Sequence, residues 1–146
     1  MGRVITLTTD FGMQDAYVGI MKGVILRLNP NAQIVDLSHE IGPQGIEPAA
    51  FLLFTSFRFF PPDTIHLAVV DPGVGSERRA LAARSKNAYF VAPDNGILSY
   101  VAAKEGFREV IELTNPKFWL TPVSSTFHGR DIFAPVAAHL SLGVEL

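Results

Sequence analysis

The stretch VITLTTDFGMQDAYVGIMKGVILRLNPNAQIVDL, residues 4–37, decides the fold class of this chain. It opens with residues 4–8, which have the pattern of a buried strand, and closes with QIVDL, residues 33–37, which is predicted as a second strand. Between them, apolar residues recur at alternating steps of three and one, which places them on one face of a helix. They are Tyr17, Ile20, Met21, Val24, Ile25 and Leu28, and Pro30 ends the helix. A strand, a helix and a second strand in this order form the repeating unit of an α/β fold.

The remainder of the chain continues this alternation. Strand patterns follow at residues 64–70, 80–85, 89–93 and 109–113, and helix patterns follow at residues 46–57, 97–104 and 131–143. In the last helix, Asp131 is the predicted N-cap and Pro135 falls in the first turn, where proline is tolerated. We therefore predict an α/β layered domain in which helices flank a mostly parallel central sheet.

The composition narrows the classes of function. The 12 basic and 14 acidic side chains give a net charge of −2, which offers no basic surface to a nucleic acid. Cysteine is absent, so thiolate metal sites are excluded and a cytoplasmic location is expected. No apolar run approaches the ~18 residues of a membrane span, so no membrane partner is expected. The four histidines contain no HxxxH or HxH pair, and no metal site is predicted.

Aspartates lie at or just beyond the ends of four predicted strands. In open α/β sheets, ligands bind in the crevice outside the carboxyl ends of the strands. The residues at these ends are Asp10, Asp36 or Ser38, Asp71 and Asp94. Three aspartates at strand ends could form a carboxylate cluster, or each could start a turn or cap a helix, positions that favour aspartate.

Asp10 opens the segment DFGMQD and has two interpretations. Its carboxylate only accepts hydrogen bonds, which suits the two hydroxyl groups of a ribose. The structural alternative is an Asx-type turn that closes on the backbone near Gly12.

The segment DPGVGSER, which begins at Asp71, has the same ambiguity. Asp-Pro-Gly fits a type II turn in which Asp71 accepts backbone N–H bonds, Pro72 presets φ and Gly73 takes a positive φ. Such a turn does not explain Arg78, nor His128 in the distant segment TFHGRD. An arginine can fix a carboxylate with two hydrogen bonds, and a histidine beside them can handle a proton. Sequence separation alone does not decide whether these side chains meet.

No chemistry is assigned to the other three histidines. His66 alternates with apolar neighbours in a predicted strand, which is typical of a packed histidine. His39 lies in a loop, and His139 lies on the last predicted helix.

Five segments together resemble the S-adenosylmethionine hydrolases, also called S-adenosylmethionine hydroxide adenosyltransferases, a family related to the fluorinases and chlorinases. The segments are TLTTDFGMQDAYVGIMKGVI, VDLSHEI, RFFPPDTIHLAVVDPGVGSERR, YFVAPDNGIL and TFHGRDIFAPVAAHL, in this order over nearly the whole chain. The resemblance implies that water or hydroxide attacks C5′ of S-adenosyl-L-methionine and gives adenosine and L-methionine. It implies neither a metal nor a cofactor, because S-adenosylmethionine is the substrate.

The resemblance also implies roles for individual residues. The family's catalytic Asp-Arg-His set falls on Asp71, Arg78 and His128, and its ribose-binding aspartate falls on Asp10. The residues expected to contact the substrate are Asp10, Asp71, Pro72, Gly73, Phe127 and Gly129. Whether Asp71 or His128 takes the proton stays open at this stage.

Members of the family continue into a smaller C-terminal β-barrel domain, and their site lies between two subunits of a trimer. The resemblance therefore implies that residues 1–146 are the N-terminal α/β domain and that the β-barrel domain is absent from this chain. It also implies a homotrimer.

Other functions remain open beside hydrolysis. A truncated module could bind adenosine or S-adenosylmethionine without turnover, and a purely structural domain would use its aspartates only in turns. A halide-using adenosyltransferase is disfavoured, because the related halogenases carry a tyrosine in place of Asp71 and a carboxylate there repels halide.

Overall fold

A six-stranded sheet forms the centre of the protein, and the computed structural model describes residues 3–146. The strands are β1 (Val4–Thr9), β2 (Gln33–Ser38), β3 (Thr64–Val69), β4 (Ala80–Arg84), β5 (Ala88–Pro93) and β6 (Glu109–Glu112). The helices are α1 (Tyr17–Leu28), α2 (Ile46–Ser56), α3 (Ser99–Glu105) and α4 (Ala134–Ser141). Within residues 3–146, no helix has the length and apolar character that crossing a membrane requires.

The strands are mostly parallel and lie in the order β2-β1-β3-β5-β4-β6. β1 pairs in parallel with both β2 and β3, and β3 pairs in parallel with β5. β4 runs antiparallel to both of its neighbours, β5 and β6, so β4 alone is reversed. The predicted mostly parallel sheet is confirmed.

Two apolar cores lie on opposite faces of the sheet. Successive side chains of a strand point to opposite faces, so β3, β4 and β5 contribute to both cores. Ile5 and Leu7 of β1 pack with Met21 of α1 and with residues of α4. On the other face, Ala68 of β3 packs with Leu53 of α2 and with residues of α3. The predicted layered α/β domain is therefore confirmed.

The chain changes direction around β1, which lies between β2 and β3. The connection to β2 passes through α1 on one face, whereas the connection from β2 to β3 passes through α2 on the other. In parallel sheets, such a change of direction leaves a crevice at the carboxyl ends of two neighbouring strands, here β1 and β3. Thr9 of β1 pairs with Val69 of β3, so Asp10 and Asp71 leave neighbouring strands at nearly the same level.

The last helix begins differently from the prediction. A π-helical turn, Gly129–Phe133, precedes α4, and Asp131 lies inside this turn. Its carboxylate accepts hydrogen bonds from the backbone N–H of Ser124 at 2.8 Å and from Arg130 Nε at 2.7 Å. The prediction of Asp131 as N-cap is therefore wrong, because its oxygens bind these groups rather than the N–H groups that begin α4. Pro135 does lie in the first turn of α4.

Candidate active site

Asp71, Arg78 and His128 meet beyond the carboxyl end of β3. Arg78 donates from Nε to Oδ1 of Asp71 at 2.9 Å and from Nη2 to Oδ2 at 2.5 Å. The same Nη2 lies 2.8 Å from Nδ1 of His128, which is 50 residues further along the chain. The guanidinium of Arg78 therefore joins the three side chains.

The pair of Asp71 and Arg78 is shielded from solvent. Their side chains are 6% and 11% exposed, and the Arg78 guanidinium carbon lies 5.4 Å from the centre of the Phe133 ring. A bidentate, charge-assisted pair is stronger and more directional than an exposed ion pair. The orientation of the Asp71 carboxylate is therefore fixed.

The contact with Arg78 determines the tautomer of His128. A guanidinium has N–H donors and no acceptor, so Nδ1 of His128 must accept the hydrogen bond and carries no hydrogen. The imidazole is then neutral, and its hydrogen lies on Nε2. His128 can therefore donate one hydrogen bond, from Nε2.

The turn that begins at Asp71 is not of type II. The N–H of Val74 does bond to the carbonyl oxygen of Asp71 at 3.1 Å, which closes a turn. Gly73 does not adopt a positive φ, however, whereas Gly75 does, with φ of 78°. The structural alternative for Asp71 is therefore wrong, because its carboxylate binds Arg78 and not the backbone of this turn.

Gly75 allows two loops to meet. A Cβ atom at this position would collide with the carbonyl oxygen of Ser125, in the segment just before His128. Only glycine combines the positive φ with so close an approach of two backbones. This contact brings the loop that carries Arg78 against the segment that carries His128.

Asp131 supports that segment from the buried side. Besides the contact of Asp131 with Ser124, the Ser124 hydroxyl accepts the backbone N–H of Phe127 at 2.9 Å. Burial alone would raise the pKa of Asp131, but hydrogen bonds from Arg130 and Ser124 hold it below its ordinary value. A charged, buried carboxylate thus orders the chain that presents Phe127 and His128.

Asp10 lies at the end of the neighbouring strand. Its Oδ2 accepts the backbone N–H of Gln44 at 3.0 Å, while the N–H of Gly12 bonds to the carbonyl oxygen of His39. The Asx-type turn near Gly12 is therefore wrong. A carboxylate can accept several hydrogen bonds, so ribose binding by Asp10 stays a prediction.

Three aromatic rings cluster beside Asp10. The ring centres of Phe11 and Phe127 are 5.8 Å apart, and those of Tyr17 and Phe127 are 5.3 Å apart. Of the three rings, only Phe127 was predicted from the sequence to line the site, although Phe11 directly follows Asp10 and Tyr17 begins α1. These rings provide an apolar surface against which a flat ligand ring can pack.

The other predicted substrate contacts differ in exposure. Pro72 is exposed and Gly73 is half-buried, and both follow Asp71 directly. Gly129 is buried, and a Cβ there would lie 3.1 Å from Sδ of Met21. The binding roles of these three residues stay predictions.

The four strand-end aspartates do not form one cluster. Asp36 binds Lys22 and His39, each at 2.7 Å, and Asp94 binds Arg79 at 2.6 Å. Burial alone would raise the pKa of Asp36, but hydrogen bonds from Lys22 and His39 hold it below its ordinary value. Across the described residues, 3–146, no three His, Cys, Asp or Glu side chains converge to hold a metal ion.

Comparison with known proteins shows the family. A family model described as the SAM hydroxide adenosyltransferase N-terminal domain matches residues 5–146. The chain belongs to this family. A similar protein is the (R)-S-adenosyl-L-methionine hydrolase of Methanocaldococcus jannaschii, which is 46% identical over 142 residues and matches 94% of this chain.

Two further proteins are similar to this chain. The crystal structure of an uncharacterized conserved protein from Thermotoga maritima matches 97% of this chain with a TM-score of 0.96 and 47% identity. A fluorinase from Actinoplanes sp. is 29% identical over 166 residues and matches 98% of the chain. The chain spans about half the length of these proteins: 52% of the archaeal hydrolase, 55% of the Thermotoga protein and 56% of the fluorinase.

Proposed function

We propose that the protein containing this chain hydrolyses S-adenosyl-L-methionine to adenosine and L-methionine. The observation that carries the proposal is the junction of Asp71, Arg78 and His128 beyond β3, because it offers a fixed carboxylate and a directed N–H at one crevice. The archaeal relative is named for the (R) epimer at sulfur, and we extend this preference to the present protein.

The reaction is an in-line displacement at C5′. The oxygen of water forms a bond to C5′, the bond between C5′ and sulfur breaks, and its electron pair stays on sulfur. The sulfonium thereby becomes the neutral thioether of methionine, and the water gives up one proton. A positively charged sulfur is already a good leaving group, so positioning and proton removal suffice. We propose that no metal and no cofactor is required.

Asp71 is the proposed proton acceptor. Its two oxygens bind Arg78 and keep further lone pairs, whereas the Nε2 of neutral His128 already carries a hydrogen. The Nε2–H of His128 would donate a hydrogen bond to one lone pair of the water oxygen. This hydrogen bond would orient the other lone pair of that oxygen toward C5′. Arg78 acts as the positioning residue, because it fixes the Asp71 carboxylate and sets the tautomer of His128.

The nucleoside end of the substrate is assigned to the end of β1. Asp10 would accept hydrogen bonds from the ribose hydroxyls, and Phe127 with Phe11 would pack against the apolar faces of the nucleoside. Pro72 and Gly73, directly after Asp71, would form the wall beside C5′.

We further propose that the complete protein is a homotrimer that acts in the cytoplasm on this small molecule, without a nucleic-acid partner. The family resemblance supports the trimer, and the absence of cysteine from this chain agrees with a reducing compartment. Sedimentation velocity of the complete protein would give the mass of a trimer.

Two other functions also have support, and an analysis of the reaction products distinguishes them from hydrolysis. The fluorinase relative favours a halide as nucleophile, but the charged carboxylate of Asp71 disfavours an anion at that place. A module that only binds adenosine would use the residues near Asp10 without turnover.

The test is product analysis by chromatography after the complete protein is incubated with each sulfur epimer, with and without chloride. We expect adenosine and methionine in equal amounts, faster release from the (R) epimer and no effect of chloride. Formation of chlorodeoxyadenosine without adenosine would show that the protein catalyses halogenation and not hydrolysis. Adenosine binding without methionine release would favour the binding module.

A further inference from the structure

His39 joins the ends of β1 and β2, and no role was assigned to it from the sequence. Its side chain is 4% exposed. Nδ1 lies 2.8 Å from the hydroxyl of Thr9, and Nε2 lies 2.7 Å from Oδ1 of Asp36. Both ring nitrogens of this buried histidine therefore have partners.

The hydrogen bonds around His39 have one consistent direction. Asp36 is held in its charged form and also accepts from Lys22 at 2.7 Å, so the hydrogen of the His39 ring lies on Nε2. Nδ1 then accepts the O–H of Thr9. The Thr9 oxygen in turn accepts the backbone N–H of Phe11 at 3.2 Å. A continuous chain of hydrogen bonds thus runs from α1 to the backbone of Phe11.

This chain holds the segment that carries the nucleoside-binding candidates. The side chain of His39 contacts Thr9 on one side of Asp10 and Phe11, and its carbonyl oxygen accepts the N–H of Gly12 on the other side at 2.8 Å. Burial and full hydrogen bonding of the imidazole make this support rigid. The positions of Asp10 and Phe11 therefore depend on His39.

We infer that His39, oriented by Asp36, is a positioning residue that fixes Asp10 and Phe11 for the nucleoside part of the substrate. The inference rests on the proposed function for the identity of the ligand. It predicts an effect on binding rather than on the chemical step, because Asp71 and its partners are held by separate contacts. The residue acts through Thr9 and does not touch the reacting atoms.

The test compares variants of the complete protein in adenosine binding by calorimetry and in methionine release. Thr9→Val removes the hydroxyl at nearly constant volume, and Thr9→Ser retains it. We expect Thr9→Val to raise the Kd for adenosine and the KM by about tenfold, the loss that one ordering hydrogen bond produces. The kcat should stay within about threefold, and Thr9→Ser should recover most of the affinity.

His39→Phe retains the ring and removes both hydrogen bonds. It should weaken adenosine binding as Thr9→Val does, and the double variant should be no weaker than either single one, because the two residues act through one contact. Thr55→Val, at an exposed position of α2, is the matched control and should bind like the wild type. Thermal unfolding checks that each variant folds, and the Thr9 variants carry the test if His39→Phe does not.

The possible outcomes distinguish this inference from the proposed hydrolysis. Adenosine affinity unchanged in folded Thr9→Val overturns the inference, as does a loss confined to kcat. A wild-type protein that binds adenosine but releases no methionine overturns hydrolysis, while the affinities of the variants still decide the role of His39. A wild type that binds no adenosine overturns the inference, while methionine release still decides hydrolysis.

Discussion

Two histidines, one just before the π-helical turn and one in a strand, have opposite environments. His128 is half-buried at the crevice, and its Nδ1 receives an N–H from Arg78 at 2.8 Å. His66 is fully buried in β3; its Nδ1 contacts the hydroxyl of Thr6, and its ring stacks on Phe90 with centres 5.3 Å apart. Among residues 3–146, Nε2 of His66 has no hydrogen-bond partner.

The difference shows that the hydrogen-bond partners and the exposure of a histidine, rather than its residue type, decide its role. Burial without a charged partner lowers the pKa of His66 to about 4, so this ring is neutral and belongs to the core. His128 has a charged neighbour that fixes its tautomer, and it is only half-buried. The histidine at the crevice is therefore assigned chemistry, and the one in the core is assigned packing.

The largest expected effect belongs to Asp71→Asn in the complete protein. The amide keeps the size of the side chain but cannot take a proton, so methionine release should fall by about 100-fold or more. Adenosine binding should change by less than about threefold, because the nucleoside contacts lie elsewhere. Asp94→Asn is the matched control: it alters an exposed pair with Arg79, worth at most ~1 kcal/mol, and turnover should persist. Wild-type turnover by Asp71→Asn would remove Asp71 from the mechanism.

His66 should make the free energy of unfolding depend on pH. Its pKa is about 4 when folded and 6.5 when unfolded, so its contribution is complete above pH 6.5 and is lost as the pH falls toward 4. The loss between pH 7.5 and pH 5 should be about 2 kcal/mol, measured by urea unfolding. The lowered pKa values of Asp36 and Asp131 act at more acidic pH, whereas burial also lowers the pKa of His139, which adds to the loss in this window.

His66→Phe is the control for this pH dependence. Phenylalanine fits an aromatic environment and cannot be protonated, so the variant should lose about 2 kcal/mol less than the wild type over the same pH range. The hydroxyl of Thr6 loses its partner, which should lower stability by about 1 kcal/mol at every pH. Identical pH profiles for the two proteins would contradict the assignment.

His128 should show a smaller effect on turnover than Asp71, and two substitutions separate its two nitrogens. His128→Ala removes both and should lower kcat by about 10-fold to 100-fold. His128→Asn offers an oxygen to Arg78 but no donor at the place of Nε2. If the Nε2–H positions the water, Asn should be nearly as slow as Ala; recovery of wild-type kcat by Asn would limit His128 to supporting Arg78.

Periodicity predicted the elements that carry the site. Strand patterns on either side of a segment with helical spacing predicted β1, α1 and β2. Helix α1 begins and ends at Tyr17 and Leu28, the first and last apolar residues of that segment. This success has a physical cause, because burial of one face dictates the spacing of apolar residues locally. The proximity of Asp71, Arg78 and His128 has no local signal and was implied only by the family resemblance.

The errors in the sequence analysis share one cause. The rule for a type II turn selected Gly73 for positive φ, whereas contact with Ser125 selects Gly75. The rule for helix N-caps selected Asp131, whereas its carboxylate binds the backbone of Ser124. Both rules use neighbours in sequence, and both outcomes depend on a loop that folds back from another part of the chain. The contacts of His39 and Phe11 were missed for the same reason.

The central claim is that the protein directs water to C5′ of S-adenosylmethionine. Its most direct test is the reaction of the complete protein in water enriched in oxygen-18, with mass spectrometry of both products. The account predicts one labelled oxygen in the 5′-hydroxyl of adenosine and none in methionine, because the bond between C5′ and sulfur is the one that breaks. Adenosine formed without the label would contradict it.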